Sequence, residues 1–431
     1  MVTTMSKNNF LKIISLLINY GTLIFVFLLP WQVRWIYHEA ILNGQIWEYG
    51  RFSLYGTEIL LILILLLSAL KFIIQKKEIE TLKPNLIFNI NFWLVLLVIW
   101  SALTIIWSAD FYIALNGLLR LLEGIALFYL VVGLSSSIKH KISYTLIISG
   151  LIQSLIAIFQ FIYQWSLSNK WLGMSLLNPG SPGISVIETA TGRFLRSYGT
   201  LPHPNILAGF LVITILITII LINRESIKKR LYFLFSSLIV LSLGLILTFS
   251  RAGIISLLSC LIIYLIYSKI KKRHIKKIAL SLLLILFILS FFTLFYSDLV
   301  LTRFNSTSRL EVKSNTERLE SYNQALSIVD DTWYKGLGLG QYTLRLAQLY
   351  PDLPGYIYQP VHDSGMLTLA ELGLWGLLIF STIILFIFLG ANSFWLLIVA
   401  VLILGLFDHY FRSMYFGIML WWLVLAIGYK K

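Results

Sequence analysis

The chain has few charged residues and almost no cysteine. Of its 431 residues, 12% are charged and 58% are hydrophobic, and the mean hydropathy is +0.85. A soluble globular protein carries roughly 25% charged residues, so this composition excludes an ordinary soluble domain. The single cysteine, Cys260, excludes an intrachain disulfide.

Several catalytic motifs are also missing from the sequence. There is no HExxH, no CxxC, no P-loop and no GxSxG nucleophile elbow. The acidic pair Asp330–Asp331 has no partners at metal-ligand spacing. We therefore expect no cofactor and no metal in catalysis.

Apolar runs near 20 residues recur along the whole chain, close to the length that crosses a hydrocarbon core of ~30 Å. Because lipid offers no partner to backbone groups, such runs form helices. We predict an all-α polytopic membrane protein, organised as a single integral membrane domain over residues 1–431. No small-residue cleavage site follows the first run, which predicts a retained anchor. About twelve transmembrane helices are expected at residues 10–30, 53–74, 85–107, 113–134, 142–163, 205–222, 231–249, 252–268, 278–297, 364–389, 393–407 and 414–429.

Basic residues occur near both ends of the chain and in the connections that follow spans two, four, six and eight. By the positive-inside rule these connections and both termini are cytoplasmic. The cations are spread over separate short loops, so the net charge of +15 indicates orientation and contact with anionic membrane lipids rather than nucleic acid binding. The residues are Lys7, Lys76, Lys77, Lys83, Lys139, Lys141, Arg224, Lys228, Lys229, Arg230, Lys269, Lys271, Lys272, Arg273, Lys276, Lys277, Lys430 and Lys431.

Three long connections then lie on the outer side. Residues 31–52 are rich in tryptophan and tyrosine, as is typical of a membrane interface. Residues 164–204 form the second connection. Residues 298–363, between spans nine and ten, form a large outer loop with short helices. Apolar side chains at helical spacing predict one helix over Thr316–Val329, and a glycine turn follows at Gly336–Gly340.

Two outer arginines are the first candidates for chemistry. Arg251 falls at the tight turn between spans seven and eight, and Arg318 lies in the predicted outer helix. A guanidinium group binds phosphate in bidentate fashion and keeps its charge. Two alternatives stay open: Arg251 reaches lipid phosphate as a snorkelling side chain, or Arg318 belongs to a weak surface network with Glu317 and Glu320.

Histidines are the second set of candidates. His362, at the entry to span ten and followed by Asp363, has the chemistry of a general base near neutral pH; the alternative is a hydrogen-bonded packing residue. His203 precedes Pro204 and is placed to cap span six. Inside span four, Arg120 and Glu123 are three residues apart, which predicts a structural ion pair.

Four segments in order resemble the O-antigen ligase and polymerase family of bacterial envelope glycan assembly. They are RSYGTLPHPNILAGFL, TFSRAGIISL, TERLESYNQALSIVDDTWYKGLGLGQY and HDSGMLTLAELGLWG, the last with Gly373 and Gly376 in the family's GxxG. The resemblance covers about residues 190–380.

This resemblance implies a metal-independent glycosyltransferase of the GT-C type in the bacterial inner (plasma) membrane, with its active site on the periplasmic face. Its donor would be an undecaprenyl-pyrophosphate-linked glycan, and its acceptor a glycan or a lipopolysaccharide lipid core. Carried onto this chain, Arg251 and Arg318 hold the pyrophosphate and His362 activates the acceptor hydroxyl. The substrate-binding candidates are Arg196, His203, Asn205 and Asp363. Asp363 departs from the family, which has an amide or hydroxyl residue there.

Ligase and polymerase share this fold and these motifs, so both functions stay open, with the ligase slightly favoured. A second alternative is a flippase or transporter of lipid-linked glycans. Such a protein is expected to have paired repeats and broken helices at mid-membrane depth, and the sequence has neither. A purely structural or binding membrane protein leaves the ordered motifs unexplained.

Overall fold

The computed structural model describes residues 7–75, 89–272, 275–305 and 308–430. As predicted, the protein is an all-α multi-pass membrane protein. The helices are Lys7–Leu28 (α1), Gly56–Gln75 (α2), Ile90–Thr104 (α3), Phe111–Val132 (α4), Ser136–Tyr163 (α5), Pro204–Arg224 (α6), Lys228–Leu247 (α7), Arg251–Ile270 (α8), Lys276–Phe295 (α9), Ser297–Asn305 (α10), Arg309–Thr332 (α11), Tyr342–Leu349 (α12), Ser364–Leu389 (α13), Trp395–Gly405 (α14), Tyr410–Ser413 (α15) and Tyr415–Gly428 (α16).

Within these described ranges, ten helices are long and apolar enough to cross a membrane: α1 to α9 and α13, with α3 extended by a 3-10 turn to Trp107. The predicted eleventh and twelfth spans form the shorter helices α14 and α16, of 11 and 14 residues. At 1.5 Å per residue they are about 17 and 21 Å long, less than a hydrocarbon core. Ten long helices and two short ones thus correspond to the twelve predicted spans.

The two short helices form a hairpin. At one end the amide of Asn392 donates to the carbonyl of Ile427 at 2.7 Å, and the Lys430 N–H donates to Gly390 at 3.0 Å. At the other end the Ser364 hydroxyl donates to the carbonyl of Asp408 at 2.8 Å. The hairpin therefore brings Asp408 to the start of α13.

The long connections meet at one end of the bundle, which we call the site face. It is formed by residues 29–55, 164–203, 296–363 and 406–414. The Thr200 hydroxyl donates to Pro30 at 2.8 Å, and the Asn43 amide donates to Leu353 at 2.6 Å. The described termini lie at the opposite end, with the described basic connections. Lys76, Lys77, Lys83, Arg273 and Lys431 lie outside the described residues, and the orientation of the protein in the membrane stays a prediction.

Three small antiparallel sheets, which we did not predict, stiffen the loops of the site face. Asn43 and Gly44 form the turn of the smallest one with φ values of 49° and 72°, the geometry that Asn-Gly favours in two-residue hairpins. The paired strands are Arg34–His38 (β1) with Phe52–Tyr55 (β4), Ile41–Leu42 (β2) with Gln45–Ile46 (β3), and Val186–Thr189 (β5) with Gly192–Leu195 (β6).

The largest loop contains helices α10 to α12. The predicted helix over Thr316–Val329 is confirmed as part of the longer α11. The glycine turn at Gly336–Gly340 contacts α13 just before its GxxG motif: the Gly338 N–H donates to the carbonyl of Glu371 at 2.8 Å. Gly373 interrupts α13 with a φ of 67°, and a Cβ atom there would lie 2.5 Å from the carbonyl of Tyr334. This close approach joins the outer loop to α13.

Helix α6 is the central helix of the bundle. It is apolar on every side and is buried along almost its whole length, as expected of a helix surrounded by others. Its first turn therefore lies in the middle of the site face. The predicted pair of Arg120 with Glu123 is confirmed at 3.1 Å, and Glu58 of α2 also pairs with Arg120 at 2.6 Å.

Candidate active site

His203 caps the first turn of α6, as predicted. Its Nδ1 accepts from the N–H of Asn205 at 3.2 Å, so Nε2 carries the proton and donates to the Ser185 hydroxyl at 3.0 Å. Burial, reinforced by the charge of Arg196, lowers the pKa of His203 to about 3. His203 is therefore neutral and bonded to protein through both ring nitrogens.

Arg196 is buried against the turn between α7 and α8. Its Nε donates to the carbonyl of Thr248 at 2.9 Å and its Nη2 donates to Oδ1 of Asn205 at 2.8 Å. Burial and then the charge of Arg303 lower the pKa of Arg196. Asn205 in turn donates from Nδ2 to Oδ2 of Asp408 at 3.4 Å. Arg196 and Asn205 thus connect three segments of the site face.

A cluster of arginines surrounds Glu311. Arg251 begins α8 behind the capping residue Ser250, and its Nη2 lies 3.4 Å from Glu311 and 3.1 Å from Oδ1 of Asn315. Arg303 pairs with the same carboxylate and donates from Nε to the carbonyl of Phe249 at 3.1 Å. The Glu311 carboxylate therefore pairs with two guanidinium groups, those of Arg251 and Arg303.

Arg318 adds a further positive charge on α11. Across the part of the chain that the structure describes, no hydrogen bond or ion pair involves its guanidinium group, which is partly exposed. The alternative network does not form as expected, because Glu317 pairs with Lys313 at 3.6 Å instead. Arg251 and Arg303 pair with Glu311, Arg318 lies near Arg251, and Arg196 lies near Arg303. The guanidinium groups therefore outnumber the Glu311 carboxylate, and such an excess of positive charge attracts an anion.

His362 faces a carboxylate that is distant in sequence. Its Nδ1 lies 3.9 Å from Oδ1 of Asp408, and its ring is 28% exposed. Burial alone would raise the pKa of Asp408, but the nearby imidazoles of His362, His409 and His203 outweigh it and hold that pKa well below its usual range. Asp408 is therefore an ionised carboxylate beside the candidate base.

Asp363 follows His362 in the sequence but caps a helix instead of facing the His362 ring. Its Oδ1 accepts from the N–H of Met366 at 2.7 Å and so caps α13. Burial and then the negative charge of Asp363 raise the pKa of Tyr322, while the charge of Arg318 lowers it. Tyr322 is thus close enough to both Asp363 and Arg318 for their charges to act on it, and its hydroxyl donates to the carbonyl of Leu406 at 3.4 Å.

Two neighbouring cavities open beside these groups. The first, of about 390 Å³, is lined by His203, His362, Asp408 and His409 together with tyrosines. The second, of about 470 Å³, is lined by arginines, small hydroxyl residues and aromatic rings. Both cavities share a common wall of Glu48, Tyr49, Pro202, Ile206 and Met414.

One group of side chains within the described ranges has the composition of a metal site. His362, Asp408 and His409 each offer a ligand atom, and these atoms lie within 4.8 Å of one another. The prediction of no metal in catalysis rested on the absence of metal-binding motifs and on the isolated pair Asp330–Asp331. It did not consider this group, which is assembled from distant parts of the chain, and it stays a prediction.

Residues 235–381 match the model of a protein family described as O-antigen ligase. The match supports an O-antigen ligase and polymerase family assignment. The comparison with curated proteins found no match. The matched region contains Arg251, Arg318 and His362, and it points to a glycosyltransferase-like enzyme with O-antigen ligase or polymerase activity in general. The candidate residues Arg196, His203 and Asn205 lie before it.

Sequence reasoning missed four residues of the site. Arg303 and Glu311 gave no distinctive pattern, because their pairing depends on the packing of α10 against α11. Asp408 and His409 did leave a signal: they are a polar pair between two apolar runs of unusually short length. Ionisable residues in such a position within a membrane protein indicate a functional site.

Proposed function

We propose that this protein transfers a glycan from an undecaprenyl-pyrophosphate carrier to a hydroxyl group of an acceptor, in the manner of an O-antigen ligase. The observation that carries this proposal is the excess of guanidinium groups beside the His362–Asp408 pair. The first feature suits a pyrophosphate and the second suits a proton-accepting base, and both lie on one face of the bundle.

The arginine cluster would bind the pyrophosphate. Arg318 has no protein partner within the described residues, and Arg251 shares its carboxylate with Arg303. As the bond from the anomeric carbon to the pyrophosphate oxygen breaks, negative charge grows on that oxygen. Guanidinium groups already in place stabilise this charge without reorganisation. In this proposal the guanidinium groups take this role without a bound metal.

His362 would act as the base and Asp408 as its positioning residue. With the proton on Nδ1 directed to Asp408, Nε2 keeps a lone pair. Nε2 takes the proton of the acceptor hydroxyl, the hydroxyl oxygen bonds to the anomeric carbon, and undecaprenyl pyrophosphate leaves. A single displacement inverts the anomeric centre. The 3.9 Å separation would shorten in the substrate complex, as often happens for catalytic hydrogen bonds.

The acceptor, a glycan or a lipid-core sugar, would occupy the 470 Å³ cavity. Its lining includes Arg34, Arg51, Ser166, Ser175 and Tyr198, a mixture of ring faces and hydrogen-bonding groups that suits a sugar. Because the two cavities share this wall, an acceptor in the larger cavity would lie beside the smaller one, which His362 lines, and would reach His362 past the shared residues.

The site face would lie on the periplasmic side of the bacterial plasma membrane. The described basic connections lie at the opposite end, which the positive-inside rule assigns to the cytoplasm. In this orientation the donor and acceptor meet at the outer leaflet, and both termini are cytoplasmic.

Incubation of the purified protein with an undecaprenyl-pyrophosphate glycan and candidate acceptors tests this function. A ligase releases the carrier and moves the intact glycan to the acceptor; a polymerase, the alternative, leaves a longer glycan on the carrier. Mass spectrometry of the lipid products distinguishes the two. A flippase would move the donor across vesicles without making either product.

Replacement of the base connects the activity to this site. We expect His362→Ala to lower turnover by about 10²–10⁴-fold, the usual contribution of a general base. The control is His140→Ala, a histidine in the first turns of α5 at the opposite end of the bundle. Asp408→Asn should lower turnover and also displace the pH profile of kcat. Wild-type turnover in His362→Ala would refute the proposed role of this site.

A further inference from the structure

Three potential ligand atoms meet at one wall of the 390 Å³ cavity. Oδ1 of Asp408 lies 3.9 Å from Nδ1 of His362 and 3.9 Å from Nε2 of His409. All three atoms lie within 4.8 Å of one another. His409 and Asp408 are almost fully buried, with 4% and 8% of their surface exposed.

The Ser413 hydroxyl is the hydrogen-bond partner of the His409 ring. It lies 3.2 Å from the carbonyl of His409 and 2.6 Å from Nδ1 of the ring. When the hydroxyl donates to the carbonyl, its oxygen accepts from Nδ1–H. In that tautomer the lone pair of the ring is on Nε2, toward Asp408. This is the tautomer and the outer contact that metal-binding histidines use.

The other two atoms lie at the same centre. Within the described residues, Oδ1 of Asp408 receives the N–H of His409, at 2.9 Å, and keeps a second lone pair, while Oδ2 receives Asn205. Nδ1 of His362 is buried and has no hydrogen-bond partner within the described residues. Its lone pair is available when the ring proton is on Nε2, the tautomer opposite to the one proposed for catalysis. In that form two imidazole nitrogens and a carboxylate oxygen converge.

We infer that His362, Asp408 and His409 bind a divalent transition-metal ion of the zinc class, with water from the cavity as the fourth ligand. Two histidines and a carboxylate are a common zinc ligand set. Each ligand must move inward by about half an ångström to reach a Zn–N distance of ~2.0–2.1 Å.

The bound metal inhibits glycan transfer. A metal on Nδ1 of His362 leaves the ring proton on Nε2, so Nε2 has no lone pair for the acceptor hydroxyl. It also occupies Asp408, the positioning carboxylate. This inhibition, but not the binding, rests on the proposed function.

Cobalt(II) absorption spectroscopy tests the binding on the purified full-length protein after treatment with EDTA. We expect one equivalent of Co²⁺ to give the intense visible bands of a tetrahedral site, and one equivalent of Zn²⁺ to remove them. His409→Ala abolishes the bands and His140→Ala retains them. Ser413→Ala, which keeps all three ligands, weakens binding about 10–100-fold. Absence of the bands in the wild type, or their persistence in His409→Ala, would overturn the inference.

The activity arm measures transfer with and without Zn²⁺, each variant being compared with its own rate in EDTA. The wild type should be inhibited and should recover in EDTA, whereas His409→Ala should be insensitive to Zn²⁺. Binding of Co²⁺ without any transfer activity would leave the site standing and refute the proposed function. Transfer that requires added Zn²⁺ would overturn the inhibitory role.

Discussion

The amide of Asn205 donates to Oδ2 of Asp408 at 3.4 Å, while its Oδ1 accepts from Arg196 at 2.8 Å. A single side chain on the central helix therefore joins the arginine cluster to the carboxylate beside His362. Because α6 is buried on every side, this link has a rigid support. The proposed pyrophosphate-binding and base groups are thus fixed relative to each other, as transfer between two bound substrates requires.

Arg318 is expected to contribute mainly to the transition state. Its guanidinium group has no hydrogen-bond or ion-pair partner within the described residues, so its removal breaks no polar contact that the structure describes. We predict that Arg318→Ala lowers kcat by about 10²–10³-fold, the usual loss for one preorganised donor. The thermal midpoint should stay near that of the wild type.

The control for Arg318 is Arg309→Ala, at the start of the same helix, α11. Arg309 is 71% exposed and makes only a surface pair with Glu188, a contact that contributes little. Turnover of donor by the two purified variants is compared in the same detergent. Equal loss in both variants would show that the effect belongs to the loop in general and not to Arg318.

Glu311 should be important for stability. Its carboxylate is 3% exposed and pairs with Arg303, which is 8% exposed. Glu311→Gln leaves a buried guanidinium without a counter-charge, a change that costs about 3–5 kcal/mol. We predict a clearly lower unfolding midpoint, measured by thermal denaturation in detergent.

Glu317→Gln is the matched control, because Glu317 lies on the same helix and pairs only with exposed Lys313. Its effect should stay below about 1 kcal/mol, as for other surface pairs. Equal midpoints for the two variants would contradict the importance of the buried pair.

Because His203 is buried in its neutral form, we expect the folded protein to lose stability in acid. Its pKa falls from 6.5 to about 3 on folding because of burial and then the charge of Arg196. Below pH 6.5 the unfolded chain binds a proton that the folded chain excludes, so stability falls as the pH decreases from 6.5 toward about 3. One such group contributes a slope of at most about 1.4 kcal/mol per pH unit.

His203→Asn should reduce this slope, since asparagine keeps a capping acceptor for the Asn205 N–H and does not titrate. The measurement is the thermal midpoint of each protein between pH 7 and pH 4. His140→Asn removes a histidine from the opposite end of the bundle and should keep the wild-type slope. An unchanged slope in His203→Asn would assign the acid sensitivity to other groups.

The fold was largely predictable because lipid imposes one strong rule on the backbone. Apolar runs of about 20 residues identified the ten long helices, and helical spacing identified part of α11. The capping role of His203 was also predictable, because its signal is local: a polar residue directly before Pro204. The small sheets were missed because their strands have two to five residues and short periodic patterns.

The site was predictable only where its signals were local or resembled a family. Sequence proximity pointed to Asp363 as the partner of His362, yet Asp363 caps α13 and Asp408 faces the ring. Asp408 reaches the His362 ring because the hairpin of α14 and α16 packs against the start of α13. This is a tertiary contact, which the local sequence does not indicate. The pairing of Arg303 with Glu311 likewise depends on how two outer helices pack.

In the proposed mechanism an acceptor sugar moves from the larger cavity to His362 past Met414, which lines both cavities. Indole is much larger than the methionine side chain, so Met414→Trp should obstruct an acceptor sugar that approaches from the larger cavity. We predict about a tenfold lower kcat/KM for the acceptor, which corresponds to about 1.4 kcal/mol. Binding of the pyrophosphate donor should be unchanged, because the arginine cluster does not line this passage.

Met414→Leu is the control, since leucine and methionine exchange with little change in volume. Steady-state rates over a range of acceptor concentrations, with donor binding measured separately, distinguish obstruction from misfolding. Weakened donor binding in Met414→Trp would indicate a general disturbance of the site face. Unchanged acceptor kinetics would mean that the acceptor reaches His362 without passing the shared wall, and would remove the larger cavity from the proposed mechanism.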